Sequence, residues 1–163
     1  MSIEKVREYL RPQGLEDRIL EFSVSSATVE LAAEAAGVAP ARIAKTLSFR
    51  DAAGTGCLLI VAAGDARVDN RKFKDRFRHK ARFLTPEEAI AFTGHAVGGV
   101  CHFALPEGIP VYLDRSLRRF DTVFPAAGSS NSAVSLTPDE LFSASRAADW
   151  VDVCSGWEEA AGA

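Results

Sequence analysis

The chain has 163 residues, of which 47% are hydrophobic and 25% charged, and its formal net charge is −3. This composition is that of an ordinary globular domain, and the negative net charge argues against a protein that coats nucleic acid through bulk charge. No apolar run approaches the ~18–20 residues that cross a bilayer, the charged N-terminus is not a secretory signal, and three widely spaced cysteines make no disulfide framework. We therefore expect a single domain over 1–163, in a reduced cytoplasmic setting and without a membrane partner.

Apolar periodicity and turn residues predict alternating helices and strands in the first half of the chain. Helices are expected over 3–13 and 29–36, ended by Gly14 and Gly37, and from Asn70 as the cap to about Arg78. Strands are expected over 18–23, 43–50 and 57–63. The turn sequence DAAGTG between the last two strands predicts a hairpin.

Two Thr-Pro-x-Glu sequences, at 85–88 and 137–140, predict capped helix starts in the second half. The first of these helices should end at Gly94 and the second near Ala147. Further strands are expected over 110–114, 122–124, 133–136 and 150–153. Because several strands follow each other by short turns, we predict an α/β (mixed α+β) fold with a mixed, largely antiparallel or barrel-like sheet surrounded by helices.

The stretch Thr93–Leu105, TGHAVGGVCHFAL, holds three glycines, a cysteine and two of the three histidines. Such a loop can present backbone N–H groups to an anionic or carbonyl oxygen, although a plain glycine-rich turn is the alternative. A thiol nucleophile at Cys101 or a zinc site is also conceivable from the composition. Adjacent ligands rarely face one centre and no CxxC pair is present, so we expect no metal and favour a buried thiol.

Lys45 lies in the middle of the apolar strand IAKTLSF, on the same face as Ile43 and Leu47. An ammonium group at that position either reaches water or meets an anionic or carbonyl group. The spacing alone does not decide between these two interpretations.

Eight of the 19 Lys and Arg residues fall between Arg67 and Arg82. A local basic patch on an acidic protein indicates a polyanion bound at one place, and a solvated helix face is the alternative.

Six segments, in their order along the chain, resemble the YbaK/EbsC family of aminoacyl-tRNA editing domains, which deacylate mischarged tRNA in trans. They are SSATVELAAEAAGV (25–38), IAKTLSF (43–49), VAAGDARVDNRKF (61–73), TGHAVGGVCHFAL (93–105), PVYLD (110–114) and AAGSSNSAVSLTPDEL (127–141). The similarity covers about residues 15–153 and implies the fold of the editing domain associated with prolyl-tRNA synthetase.

The resemblance also implies a set of site residues. Lys45 matches the family's essential lysine at the substrate-binding centre, and the glycine loop should stabilise the developing oxyanion through its backbone N–H groups. The catalytic set expected in this way is Lys45, Gly99, Val100 and Cys101. The substrate-binding set is Thr28, Thr46, Gly94, Gly98, His102, Phe103, Asp114, Gly128, Ser129 and Asn131.

The function implied is hydrolysis of the ester between an amino acid and the 3′-terminal adenosine of tRNA, with no cofactor. The substrate would be a small amino acid on tRNA(Pro) or a related tRNA, prolyl-tRNA synthetase or another synthetase is a candidate partner, and both monomer and homodimer are open. From charge alone, contacts to acceptor-stem phosphates are expected from Arg71, Lys72, Lys74, Arg78 and Lys80.

The family usually has Pro-Phe-Gly where this chain has His102-Phe103-Ala104, which bears on amino-acid specificity. The alternative is a non-catalytic tRNA-binding or synthetase-associated module with the same fold.

Overall fold

The computed structural model describes residues 3–94, 103, 105–106 and 108–157. Five α-helices lie in these ranges: α1 (Ile3–Leu10), α2 (Val29–Ala36), α3 (Asn70–Phe77), α4 (Pro86–Thr93) and α5 (Pro138–Ser145). The strands are β1 (Ile19–Glu21), β2 (Ile43–Arg50), β3 (Cys57–Ala63), β4 (Arg67–Val68), β5 (Val111–Asp114), β6 (Phe124–Pro125), β7 (Ser132–Val134), β8 (Asp149–Val151) and β9 (Cys154–Ser155). Short 3₁₀ turns occupy Arg11–Gln13, Glu16–Arg18, Pro40–Arg42 and Arg115–Arg119.

The main sheet has five strands in the order β6-β2-β3-β5-β8. The predicted hairpin of β2 and β3 is present and antiparallel, with Lys45 opposite Ala62. The other three pairs of this sheet are parallel, and the two small sheets, β1-β7 and β4-β9, are antiparallel. The sheet is therefore mixed, as expected, but less antiparallel than expected. The reason is that the long connection from β3 to β5 carries two helices and returns the chain in the same direction.

The core is built on β3, whose seven residues are all buried. A continuous apolar run is the usual composition of a strand covered on both faces. Phe49 of β2 and Phe73 of α3 are fully buried and their ring centroids lie 5.0 Å apart. Phe73 thus faces the core, and α3 packs on this part of the sheet.

Most helix ends fall where the capping residues predict them. Thr85 and Thr137 each form a capping box with the glutamate three residues later. One cap differs: the side chain of Asp69, rather than Asn70, accepts hydrogen bonds from the first turn of α3, and Asn70 is the first helical residue. A carboxylate satisfies two orphan backbone N–H groups at once, which favours the earlier start.

Each of these five helices is eight residues long. Within the described ranges, therefore, none has the length or apolarity that crossing a membrane requires.

Candidate functional site

A cavity of about 270 Å³ lies along the outer edge of β2. Strand β6 pairs with β2 only at Ile43 and Ala44, and Phe83 is bridged to β2 at Phe49. The stretch of β2 between these two contacts faces the cavity, which is closed on its other sides by α2, β7 and the start of α4. The lining consists of Ser26, Ala27, Thr28, Val29, Ala32, Ile43, Ala44, Lys45, Thr46, Leu47, Ser48, Phe83, Leu84, Pro86, Ala89, Phe124, Ala126, Ser132 and Ala133.

Small side chains dominate this wall, and Lys45 is the one charged residue among the described residues that line it. Six alanines leave room for a ligand, and five serine or threonine residues make the wall partly polar. An apolar wall with a few polar groups is the usual composition of a small-molecule site. The cavity is therefore suited to a compact ligand with both apolar and polar parts.

Lys45 is held at this cavity by the turn that follows β3. Its Nζ donates hydrogen bonds to the carbonyl oxygens of Gly64, at 3.3 Å, and Ala66, at 2.5 Å. An ammonium group has three N–H donors, so these two bonds fix its position while a third donor remains for a ligand oxygen. Of the two interpretations of this lysine, the structure supports a positioned ammonium group at a cavity.

Burial lowers the pKa of Lys45 from its ordinary value, because the charged form loses hydration. Arg67 acts in the same direction, whereas Cys154, Asp65 and Glu30 oppose it. The Lys45 ammonium group therefore loses its proton at a lower pH than the ammonium group of an exposed lysine does. The nearby Asp65 carboxylate acts against this shift and favours the charged form.

The turn that holds Lys45 is itself fixed on two sides. A Cβ atom at Gly64 would lie 2.0 Å from the carbonyl oxygen of Pro40 and 2.8 Å from Val29, so glycine is required there by close approach of the backbone. Asp65 forms a bidentate ion pair with Arg119, at 2.6 and 3.0 Å. Sequence reasoning did not select any of Gly64, Asp65 and Arg119 as site residues, because their roles depend on contacts between distant segments.

The opposite wall, which Ser26, Ala27 and Thr28 line, is supported by residues 22–25 and the loop Gly128–Asn131. Asn131 and Phe22 are joined by two hydrogen bonds, from Phe22 N to Asn131 O at 2.8 Å and from Asn131 Nδ2 to Phe22 O at 3.1 Å. Ser129 Oγ lies 2.5 Å from Ser132 Oγ, and Gly128 has a φ of 92°. These residues support the wall, and Ser132 lines the cavity itself.

Ser26 lines the cavity and carries a buried hydroxyl group. Its backbone N–H donates to Ser130 O at 2.7 Å, but its buried Oγ has no hydrogen-bond partner among the described residues. Burying a hydroxyl group without a partner costs free energy, and such groups are rare unless a ligand or water satisfies them. The hydroxyl is therefore a buried polar group beside the cavity whose partner the described residues do not supply.

Two more predicted substrate-binding residues line the cavity. Thr28 is the N-cap of α2 and its Oγ1 accepts a hydrogen bond from Leu31 N, while Thr46 lies next to Lys45 on β2. The structure thus brings Thr28, Thr46 and Lys45 to one cavity, and their binding of substrate stays a prediction.

Six predicted substrate-binding residues within the described ranges do not line it: Gly128, Ser129 and Asn131, which lie behind the wall, and Asp114, Phe103 and Gly94. Asp114 is fully buried, and its carboxylate accepts hydrogen bonds from Ser116 N and Val153 N. Phe103 is also fully buried, with its ring centroid 6.1 Å from that of Tyr9. Gly94 is the left-handed C-cap of α4. In this structure Asp114 and Phe103 support the core and the strand end instead of contacting a ligand, because their side chains have no accessible surface.

Five predicted site residues lie outside the described residues: Gly98, Gly99, Val100, Cys101 and His102. Their predicted contribution to an oxyanion site stays a prediction.

The predicted phosphate-binding residues differ in their surroundings. Lys72 Nζ is bound to Asp152 Oδ1 at 3.2 Å and to Cys154 O at 2.9 Å. Arg71, Lys74, Arg78 and Lys80 are exposed, and their side chains have no ion-pair partner in the part of the chain that the structure describes. These four are the cations of the group available to an external anion.

The described residues offer no thiol nucleophile. Cys57 and Cys154 are both buried, and burial raises the pKa of each thiol. A raised pKa keeps a thiol protonated and unreactive. Among the described residues, moreover, no three His, Cys, Asp or Glu side chains come together as a set of metal ligands.

Comparison with known proteins adds to this geometry. A family model described as an aminoacyl-tRNA editing domain matches residues 24–144. The uncharacterized protein YwhH of Bacillus subtilis (strain 168) is 53% identical over 158 residues, which is 97% of this chain and all of that protein.

Two crystal structures have the same fold. Hypothetical protein APE2540 is 34% identical with a TM-score of 0.83, over 93% of this chain and 99% of that one. A protein described as a candidate trans-editing enzyme for prolyl-tRNA synthetase is 30% identical with a TM-score of 0.84, over 96% of this chain and 99% of that one. The match along nearly the full length of both chains means that the cavity and its walls lie within the shared fold.

Proposed function

The chain belongs to the aminoacyl-tRNA editing domain family, and from this premise we propose that it hydrolyses the ester of mischarged aminoacyl-tRNA in trans. The observation that carries this proposal is the Lys45 ammonium group, held by two carbonyl oxygens at a cavity of mostly small side chains. The oxygens of an ester can accept a hydrogen bond from the Lys45 ammonium group, and its acyl group can pack against the apolar wall. Editing is the function of the family, and deacylation is the reaction proposed for this chain.

In the proposed reaction, water attacks the carbonyl carbon of the ester. The bond from that carbon to the ribose oxygen breaks, and a proton passes to this oxygen, so that the products are a free amino acid and uncharged tRNA. Lys45 would donate its third hydrogen bond to the ester or to the terminal phosphate. Backbone N–H groups of the segment 98–102 are proposed to bind the developing oxyanion, a contribution of about 3–4 kcal/mol per well-placed donor in other enzymes. If a substrate side chain attacks instead of water, the acyl group leaves as a cyclic product and uncharged tRNA is released. If a ribose hydroxyl attacks, the acyl group moves to that oxygen and water must still hydrolyse the new ester.

The proposed substrate is a small amino acid on tRNA(Pro) or a related tRNA. The volume of about 270 Å³ and the alanines of the wall support a small acyl group. The likeness to a protein described as a candidate trans-editing enzyme for prolyl-tRNA synthetase supports tRNA(Pro) and a link to that synthetase.

The exposed cations Arg71, Lys74, Arg78 and Lys80 are proposed to contact phosphates of the acceptor end. Phosphate contacts position a nucleic acid without reading its sequence. Lys72 would add charge to this surface, although its ammonium group is shared with Asp152 and Cys154 O.

Deacylation of a panel of mischarged tRNAs tests the proposal. The panel contains Ala-tRNA(Pro), Cys-tRNA(Pro) and Ser-tRNA mispairs, and the proteins are wild type, Lys45→Ala and Lys5→Ala. We expect wild type to hydrolyse at least one substrate and Lys45→Ala to be about 10²–10³-fold slower, as for the loss of a hydrogen-bond donor to a developing charge. Lys5→Ala, which removes an exposed lysine of α1, should retain the wild-type rate.

The alternative function predicts a different result. A non-catalytic tRNA-binding or synthetase-associated module would bind tRNA and hydrolyse none of the panel, and Lys45→Ala would not change its affinity. The departure at His102-Phe103-Ala104 from the family pattern is the observation that favours this alternative. Thermal unfolding of Lys45→Ala would show that any loss of activity is not a loss of fold.

A further inference from the structure

Phe83 is the most exposed large hydrophobic residue of the described ranges, with 59% of its surface accessible. It also lines the cavity that holds Lys45. A large aromatic side chain is costly to leave in water unless it has a partner, and aromatic side chains are favoured where a binding partner covers them. Its position at the edge of the cavity makes it part of the route into the proposed site.

The Phe83 ring is held in place from behind. Its centroid lies 4.5 Å from that of Phe49, which is fully buried in the core. The backbone on either side is tied to β2, by hydrogen bonds from Leu84 N to Ser48 O at 3.0 Å and from Arg50 N to Arg82 O at 2.8 Å. The side of the Phe83 ring that faces Phe49 is therefore packed, and the accessible surface of Phe83 lies on the parts of the ring that face away from Phe49.

A second depression adjoins this segment on its cationic side. Arg50, His79, Lys80 and Arg82 line it together with residues 51–54. Arg50 is paired with Glu88 at 2.6 Å. Lys80 and Arg82, by contrast, are exposed and form no ion pair with any residue that the structure describes. The segment 80–83 thus places two available cations, Lys80 and Arg82, next to the exposed ring of Phe83, and this ring lies at the edge of the cavity.

We propose that Phe83 is the stacking platform for the 3′-terminal adenine of the aminoacyl-tRNA, with the phosphates of the preceding nucleotides bound at Lys80 and Arg82. This proposal rests on the proposed function, which puts the aminoacyl group in the cavity beside Lys45. The adenine is separated from the aminoacyl group by the ribose, so it would lie outside the cavity, at the edge where Phe83 is found. The combination of aromatic rings with flanking cations is the usual way to bind single-stranded nucleic acid without reading its sequence.

The charges beside Phe83 favour RNA over a second copy of this chain as the occupant. The protein carries a net charge of −3 but gathers eight of its 19 basic residues into 67–82. A patch that ends in two available cations complements the negative charge of phosphate. In a symmetric dimer the same patch of both copies would meet, and its cations would repel each other.

Fluorescence of an uncharged acceptor-stem RNA, with 2-aminopurine in place of the terminal adenine, tests the proposal directly. Stacking on an aromatic ring quenches this fluorophore, so wild type should quench it on binding. Phe83→Ala and Phe83→Leu should remove the quenching and weaken binding about tenfold, the effect of losing one stacked base, while Phe83→Trp should retain both. Because leucine keeps an apolar contact with Phe49, a merely structural role of Phe83 would be rescued by Phe83→Leu.

Ile90→Ala is the matched control, since Ile90 is 51% exposed on α4 and does not line the cavity. It should leave quenching and affinity unchanged. Unchanged quenching and affinity in Phe83→Ala would overturn the proposal, as would a loss of self-association in that variant without a loss of quenching. The RNA here is uncharged, so stacking is measured without hydrolysis. A protein that quenches but hydrolyses nothing would contradict the proposed function alone, and one that hydrolyses without quenching would contradict the stacking proposal alone.

Discussion

At the scale of single residues, the candidate site depends on one ammonium group and on what surrounds it. Lys45 donates to two carbonyl oxygens of the turn 64–66, and burial lowers its pKa. Because the folded-state pKa lies below that of an unfolded chain, the charge on Lys45 opposes folding at neutral pH. The free energy of unfolding therefore increases as the pH rises from the pKa of Lys45 in the folded protein to its pKa in the unfolded chain. The protein thus keeps a charged group that a neutral side chain would replace at lower cost, which fits a role in binding.

Asp65→Asn should shift the alkaline limb of the pH–rate profile to lower pH. The Asp65 carboxylate raises the pKa of Lys45, so its removal lowers that pKa further and the ammonium group is lost earlier as the pH rises. The measurement is kcat/KM for deacylation against pH, corrected for spontaneous ester hydrolysis, with the pKa of Lys45 followed by NMR of ¹³C-labelled lysine.

Asp149→Asn is the control for this experiment. It also removes a carboxylate from an ion pair, with Arg76 at 3.2 Å, but Asp149 is not among the groups that affect Lys45. Its profile should match wild type. An Asp65→Asn profile with an unmoved alkaline limb would show that protonated Lys45 does not control the rate.

At the scale of secondary-structure elements, the turn after β3 joins the site to the rest of the fold. It packs against Pro40 and Val29 through Gly64, and Asp65 connects it to the 3₁₀ turn Arg115–Arg119. The position of the carbonyl oxygens that hold Lys45 is therefore set by several elements. A small change in the turn should affect both stability and activity.

Gly64→Ala should lower the free energy of unfolding by about 1–3 kcal/mol, the usual cost of forcing an extra carbon into a packed position. The added Cβ would lie 2.0 Å from Pro40 O, so either the turn or the Pro40–Arg42 segment has to move. Deacylation should fall together with stability because the Gly64 carbonyl moves with the turn. Urea denaturation and kcat measure the two effects.

Gly56→Ala is the comparison at the other end of β3. There the new Cβ would meet only the end of the Asp51 side chain, at 2.5 Å, so no backbone has to move, although Asp51 Oδ1 also accepts hydrogen bonds from Gly54 N and Gly56 N. A smaller destabilisation and an unchanged kcat are expected. If both glycine variants behaved alike, close packing at Gly64 would not be what positions the turn.

At the scale of the whole molecule, the protein is acidic overall but carries two available cations, Lys80 and Arg82, beside the cavity. Lys72 and Arg76 are tied to Asp152 and Asp149, while Lys80 and Arg82 lie on the segment that ends at Phe83. Phosphate binding is thus expected along one short path, not over the entire surface.

The affinity for tRNA should fall as salt concentration rises, with a slope that counts the phosphates contacted. Each contact to a single-stranded phosphate contributes about 0.7 to the slope of log K against log salt concentration. The double variant Lys80→Ala/Arg82→Ala should reduce the slope by about 1.4 in the same measurement, if each cation contacts one phosphate. Arg18→Ala, which removes a cation paired with Glu140 at 3.0 Å, should leave it unchanged. An undiminished slope in the double variant would put the phosphate contacts elsewhere.

The sequence alone determined the elements whose signals are local. Helix α2 begins after Thr28 and ends at Gly37, α4 begins with a capping box at Thr85, and β2 and β3 form a hairpin, all at the predicted positions. These features depend on residues within a few positions of each other, so the sequence contains all the information they need. The resemblance to a family added Lys45 as the centre of the site.

Only the tertiary structure decided which residues share the site with Lys45. It brought Ser26, Phe83 and Gly64 to that lysine from three separate segments, and it buried Asp114 and Phe103 away from the cavity. It also decided that most strand pairs of the main sheet are parallel. Such facts depend on how distant segments pack and pair, which no spacing within one segment encodes, because burial and contact across a fold are properties of the complete three-dimensional arrangement.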